Sequence, residues 1–305
     1  MSFATAAGQQ NYSGTFIPEI WSPRLLQKFY EGTCLNEICN TDYEGEIKTG
    51  GDKVIVRTVP TIAIKDYVKG QKLDFQIPTP EKKEMLIDSG KYWAFVLDKV
   101  DAKQMDIPAI DRWTEDAANQ MKIAIERAIF AAMYSYANAY NKGATAGKIT
   151  GDFNLGAAGS PLAITKDNVL DTLVDAGTVL DDQNTPNEDR WMLIPGWVAG
   201  MIKKSDLKDA SMTGDGKSLL RNGRLGMIDR WTLYSSNLLA TGTDTVKVFN
   251  AIFGHKSATS FATQLTETGQ GDNPFGFGTL VKGLQVYGWK VFQDANLGHL
   301  YIKKG

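Results

Sequence analysis

The chain has 305 residues, of which 43% are hydrophobic and 22% charged, and its 33 Lys and Arg against 35 Asp and Glu leave a formal charge of -2. That is globular composition, long enough to bury a core without disulfides or a structural metal, which excludes a disordered tail and a small cystine-stapled domain. The charge balance argues against a dedicated nucleic-acid binder, whose affinity comes from releasing phosphate counterions with a basic excess. No run approaches the ~20 apolar residues that span a bilayer, so no membrane partner is expected. The first residues, MSFATAAGQQNYSG, lack the basic start and apolar stretch of a signal peptide.

In chain order, residues 1–45 read as an extended arm carrying one short helix, capped by Ser22, begun at Pro23 and ended at Gly32, with Leu25, Leu26, Phe29 and Tyr30 on its apolar face. Such an arm packs on another domain or another subunit. Residues 46–100 hold four strand-like runs, Lys53–Val59, Ile62–Ile64, Glu84–Ile87 and Tyr92–Leu97, around a charged, proline-punctuated centre. This predicts a long projecting β-hairpin. Lys65, Asp66, Lys69, Lys72, Asp74, Glu81, Lys82 and Lys83 crowd its middle, with Tyr67, Leu73, Phe75 and Ile77 threaded among them. The mixture suits a surface buried against a neighbour.

From Asp106 and Pro108 to Gly143 the sequence predicts one helix of about 35 residues, roughly 50 Å long. Ile110, Trp113, Ala117, Met121, Ile125, Ile129, Ala132 and Tyr136 step by three or four along one face. Without a strict heptad, it is expected to lie across a sheet. A Gly/Ala-rich connection, 143–163, precedes a helix capped by Thr165 with Val169, Leu173, Ala176 and Leu180 on one face. A buried-type strand Arg190–Pro195, a short helix Gly196–Lys203, a charged glycine-rich loop 205–223 and strands Arg224–Asn237 and Val246–Phe253 follow. Together they predict a compact mixed domain. From Phe275 a long strand is expected, hinged at Gly283 and Gly288, and His299–Lys303 ends the chain as another.

The residues offer little chemistry. GATAGKIT (143–150) and SMTGDGKS (211–218) approach a phosphate-binding loop, but neither sits between a feeding strand and a departing helix. The carboxylate pairs Asp181/Asp182, Glu188/Asp189 and Asp98/Asp101 have no histidine or further acid at a useful spacing. Cys34 and Cys39 lack the other two ligands that zinc needs, and the chain has only two histidines, His255 and His299. No catalytic residue, cofactor or metal is assigned, and no enzymatic activity is expected.

The order of parts and four stretches carry a resemblance. IPEIWSPRLLQKFYEGTCLNEICN (17–40), the run 51–98, IPGWVAGMI (194–202) and FGTLVKGLQVYGWKVFQDANLGHLYIK (277–303) are similar to a podovirus-type group within the major capsid proteins of tailed bacteriophages. The resemblance implies an α+β, Hong Kong 97-like fold: N-arm 1–45; E-loop and start of the peripheral domain 46–100; peripheral domain with a spine helix 101–145; axial domain 146–270; return to the peripheral domain 271–305. It implies a structural protein of hexamers and pentamers closing an icosahedral shell around double-stranded DNA bound without sequence specificity. Implied partners are other copies, a separate scaffolding protein (the arm starts almost at once), a portal protein and a decoration protein. The virion capsid, assembled in the bacterial host cytoplasm, is the implied location. Expected contacts between subunits are Trp21 and Arg24 in the arm, Lys65, Asp66, Tyr67, Lys69, Lys72, Phe75, Lys82 and Lys83 in the E-loop, and Lys208, Asp209, Asp215, Lys217, Arg221 and Arg224 in or beside the axial loop. The alternatives are an encapsulin-type nanocompartment shell, a nucleotide-dependent enzyme using Lys217 and Ser218, and a different phage structural part.

Overall fold

The computed structural model describes residues 30–43, 52–104, 109–205 and 224–305. The cap at Asp106 and Pro108, the expected helix at Pro23 and nearly all of the loop 205–223 lie outside them. Two sheets organise the chain, and one helix joins them.

The first sheet has three antiparallel strands, β10 (Thr259–Asp272), β11 (Gly278–Val291) and β3 (Ser89–Asp98), in the order β10-β11-β3. Its pairing is continuous from Thr279↔Asp272 to Thr259↔Val291, apart from one irregularity between Thr263 and Leu265. The expected hinges at Gly283 and Gly288 are therefore not breaks in the strand. Gly283 faces Trp93 across the sheet, and a Cβ there would collide with the indole. Gly288 leaves room for the backbone of Leu86 and Ile87, which crosses it. Both glycines serve close packing.

The second sheet has the order β4 (Leu162–Ile164), β12 (Leu297–Lys304), β9 (Val246–His255), β5 (Arg190–Ile194), β7 (Trp231–Ser235), β6 (Arg224–Ile228), and β8 (Thr241–Asp244) pairs the outer part of β9. Every residue of β5 is buried, as its unbroken apolar run requires when both faces are covered. Met192 and Ile194 point to a core with α4 (Val169–Asp182) and α5 (Gly196–Lys204). Trp191 and Leu193 point to the other face. The expected strand Arg224–Asn237 is a hairpin, since Ile228 pairs with Trp231 around Asp229, a residue type that tolerates its φ of 54°.

The two sheets also revise the expected division of the last third. A boundary at 270 falls inside β10, whose partner is β11, and the final strand β12 joins the seven-stranded sheet through β9 and β4.

The long helix α3 (Ala109–Met133) has 25 residues rather than about 35. A 3-10 turn, Tyr134–Tyr136, tightens its end, and Ala137 is extended at ψ 138°. The apolar period runs on through Tyr136, but Tyr134 leaves the helix to stack on His299, their ring centres 5.2 Å apart. Tertiary packing thus overrides local preference. The first half of α3 rests on the three-stranded sheet through Trp113 against Phe95. Its second half, Ile125, Ile129, Phe130 and Met133, shares one core with Phe261 and Tyr287 of that sheet and with Trp191, Leu193, Ile252 and Leu297 of the other.

The described part of the N-terminal segment packs on its own chain. α1 (Leu35–Ile38) buries Leu35 and Ile38 in the same core, and Asn40 bridges to Ser260 beside β10. The buried carboxylate of Glu126 accepts from the Cys34 N–H at 3.0 Å and from its thiol at 3.3 Å, anchoring this turn to α3. Burial raises the Glu126 pKa, and the bonds from Cys34 oppose that rise.

Candidate assembly surfaces

β1 (Lys53–Arg57) and β2 (Lys82–Leu86) form a two-stranded antiparallel ribbon. Its inner residues Val54 and Met85 pair and close a small core with Ala262 and Phe292. Lys83 is half-buried and its Nζ donates to the Phe292 carbonyl, tying the ribbon to the end of β11. Lys53 and Glu84 form an exposed ion pair at 3.3 Å.

Beyond this base, residues 58–81 project with no strand of their own, so the expected strand Ile62–Ile64 is absent. Its β-branched residues find no ladder partner or packed face there. Side chains hold the two legs together instead. Ala63 N–H donates to the Gln76 amide oxygen at 2.9 Å, and Gln76 Nε2 donates to the Thr61 carbonyl at 3.1 Å. Lys65 pairs with Asp74 at 2.6 Å. The tip turns at Val68–Gln71, closed by Gln71 N–H to the Val68 carbonyl at 3.0 Å, with Gly70 at φ 88°. A turn of this kind needs glycine at its third position.

Residues 61–80 are all exposed. Ile64 is 92% exposed, Phe75 86% and Ile77 89%. An isolated soluble chain has no reason to hold this much apolar surface in water. The arm carries Lys65, Asp66, Tyr67, Lys69, Lys72 and Phe75 on legs of roughly ten residues, about 33 Å if fully extended, with Lys82 and Lys83 at its root. Lys65 is committed to Asp74 within the chain. Trp21, Arg24, Lys208, Asp209, Asp215, Lys217 and Arg221 lie outside the described residues, and Arg224 is placed only as the first residue of β6.

A second exposed apolar tip was not anticipated. The turn between β10 and β11 presents Phe275, 97% exposed, and Phe277, 85% exposed. The Asn273 side chain accepts from Phe275 N–H at 3.1 Å, and Lys99 in α2 (Lys99–Gln104) pairs with Asp272 at 3.0 Å beside it. The signal was Asn273, Pro274, Gly276 and Gly278, turn formers that interrupt the aromatic run.

The remaining polar clusters are structural. In the 143–150 segment, the amides of Ile149 and Thr150 donate to the Asp182 carboxylate at 3.3 and 3.1 Å, which occupies the donors a phosphate would use. The other near-match, 211–218, lies outside the described residues. His255 Nδ1 accepts from Ser257 N–H at 3.1 Å, and burial lowers its pKa. Cys34 and Cys39 are free and buried, and burial pushes both thiols well above their usual range. Among the described residues, no group of three or more His, Cys, Asp or Glu side chains could hold a metal ion, and no helix is long and apolar enough to cross a membrane.

A mixed α/β body with a projecting ribbon, a joining helix and exposed apolar tips defines a protein built to contact its neighbours. A family model described as phage capsid protein matches residues 84–297. The chain belongs to the phage capsid protein family. A solved structure from Mycobacterium phage Che8 is similar at TM-score 0.75 and 24% identity, over 93% of this chain and 97% of that one. The capsid of cyanophage P-SCSP1u is similar at TM-score 0.70 and 15% identity, over 100% of both chains. A capsid chain of an empty GTA particle is similar at TM-score 0.65 and 12% identity, over 94% of this chain and 95% of that one. No curated protein sequence matches. The fold is the Hong Kong 97-like capsid fold. The protein is a structural major capsid protein, and copies of it build the icosahedral shell of the virion.

Proposed function

We propose that copies of this chain associate as hexamers and pentamers around double-stranded DNA, and that the arm 58–81 makes the principal contact between neighbours. The arm corresponds to the E-loop, the unit of α3 and the three-stranded sheet to the peripheral domain, and the seven-stranded sheet with α4 and α5 to the axial domain. The observation that carries this reading is the fully exposed, apolar-studded stretch 61–80, which covers no core of its own. Repeated modest contacts of this kind stabilise a closed shell without any one being tight.

On this reading, Tyr67 and Phe75 are buried by the neighbour, and Asp66, Lys69, Lys72, Lys82 and Lys83 set the pairing at its rim. Trp21 and Arg24 contribute from the N-arm. Lys208, Asp209, Asp215, Lys217, Arg221 and Arg224 serve the local symmetry axes. A separate scaffolding protein, a portal protein and a decoration protein complete the set of partners, assembly takes place in the bacterial host cytoplasm, and the role is structural rather than catalytic. The DNA is enclosed without sequence-specific binding, consistent with the net charge of -2.

The test is expression with the scaffolding protein, followed by electron microscopy of the wild type and of an Ile64→Ser, Phe75→Ser double variant. Closed shells from the wild type are expected, and loss of shells from the variant with its thermal midpoint unchanged. Solvent-exposed changes of this type shift stability by no more than about 0.5 kcal/mol. Shells that form equally well from the variant would remove the arm from the assembly contact. A wild type that stays monomeric with its partner present would remove the capsomer reading itself.

A further inference from the structure

Where β5 turns into α5, the seven-stranded sheet leaves a groove of about 700 Å³. Pro195, Trp197, Leu239 and Phe249 give it an apolar lining, and the Trp197 and Phe249 rings are 5.7 Å apart. Its volume is in the range, roughly 300–1,000 Å³, in which concave sites bury apolar groups.

Charge decides what fits. The lining carries two cations, Arg127 of α3 and Lys247 of β9, and no aspartate or glutamate. The exposed Lys247 ammonium stands 5.4 Å from the centre of the Phe249 ring and has no carboxylate partner among the described residues. Arg127 already holds one carboxylate. Its Nη2 donates to Glu31 at 3.2 Å, and the side chain stays 61% exposed, with guanidinium donors to spare. Gly196 and Trp197 begin the nine-residue helix α5 behind Pro195, which supplies no side-chain cap, so the helix start adds partial positive charge at the same place. A basic segment is repelled by this lining. A purely apolar one buries both cations without a match, which is costly. An acidic segment with an apolar neighbour satisfies the lining in full. An exposed cation–π contact is weaker than a charge-assisted hydrogen bond, so a carboxylate draws Lys247 away from Phe249 and frees the ring for an apolar side chain.

We propose that the groove is a docking site for an acidic segment of a separate protein, with carboxylates paired to Lys247 and Arg127 and an adjacent aromatic or aliphatic side chain packed against Trp197 and Phe249. The site does not depend on how subunits meet.

Fluorescence anisotropy with the full-length chain tests it. The probe is a short, end-blocked, fluorescein-labelled peptide in which glutamate alternates with phenylalanine and leucine. The same peptide with glutamine in place of every glutamate is the comparison. The glutamate peptide should bind about tenfold more tightly than the glutamine peptide, and more weakly as salt rises. Lys247→Gln should remove most of that preference with the thermal midpoint unchanged, because Lys247 is exposed. Lys91→Gln, at an exposed lysine of the three-stranded sheet, should leave the affinity as it is. Equal binding of the two peptides, no binding of either, or equal losses from Lys247→Gln and Lys91→Gln overturn the proposal. So does self-association of the chain alone that Lys247→Gln abolishes, since the groove would then hold a second copy.

Discussion

At the residue scale, two buried polar side chains carry measurable consequences. His299 Nε2–H donates to the Asn250 side-chain oxygen at 2.9 Å, with the ring packed between Tyr134 and Tyr301. Burial first, and the nearby Lys142 second, lower its pKa from 6.5 to about 4. The folded state therefore keeps the ring neutral, while the unfolded chain takes up a proton near pH 6.5. Stability from this group is complete above about pH 6.5 and is lost as pH falls toward 4. The loss is about 2 kcal/mol by pH 5 and about 3 kcal/mol in full. Thermal midpoints of the wild type should fall between pH 7 and 5, and those of His299→Gln should fall markedly less. An identical pH slope in both would remove His299 as its source. Arg190, 1% exposed in β5, donates to the carbonyls of Pro186, Gly177 and Thr185 and to Asp181 at 2.8 Å. Arg190→Met leaves three carbonyls and a carboxylate short of a donor. We expect a loss of about 3 kcal/mol in urea denaturation. Asp181→Asn should cost less, because Asp181 is partly exposed and Arg230 also binds it. The reverse order would show that Arg190 is held by packing alone.

At the scale of elements, the sequence was most legible where one physical signal acted alone. The buried strand β5 and the face of α4 with Val169, Leu173, Ala176 and Leu180 appear as expected, because an unbroken apolar run and a clean three-four period each admit one solution. The projecting ribbon was legible from its charges and prolines, and Tyr67 and Phe75 among them are exposed in the single chain. What failed was decided at a distance. The end of α3 depends on Tyr134 meeting His299, 165 residues later. The straightness of β11 depends on Trp93 lying over Gly283. The destination of β12 depends on β9 and β4 offering it edges. Local composition holds none of these facts. The exposed tip at Phe275 and Phe277 is a different case, since its turn formers were visible but were outweighed by the β-prone residues after them.

At the scale of the whole molecule, the question is whether the two sheets behave as two domains or one. Interfaces between independent domains are usually modest and polar. Here the second half of α3 instead completes a single apolar core to which both sheets contribute, with Ile129, Phe130 and Met133 at most 1% exposed. Neither sheet keeps that core closed without the helix, so the subunit should unfold as one cooperative unit even though its topology has two parts. Phe130→Ala, which empties the shared core, should cost about 3–5 kcal/mol. It should lower the unfolding midpoint of both sheets together. Fluorine-labelled tryptophan distinguishes Trp93 in the three-stranded sheet from Trp231 in the seven-stranded one, and both resonances should report one midpoint in urea, shifted equally by the substitution. Two separate midpoints, with only one moved by Phe130→Ala, would mean that α3 belongs to one sheet and merely touches the other. A joined core also has a mechanical consequence for a shell-building subunit. Load taken up by the projecting arm passes through Val54, Met85 and Phe292 into β11, and from there through α3 into the second sheet, with no flexible linker among the described residues to absorb it.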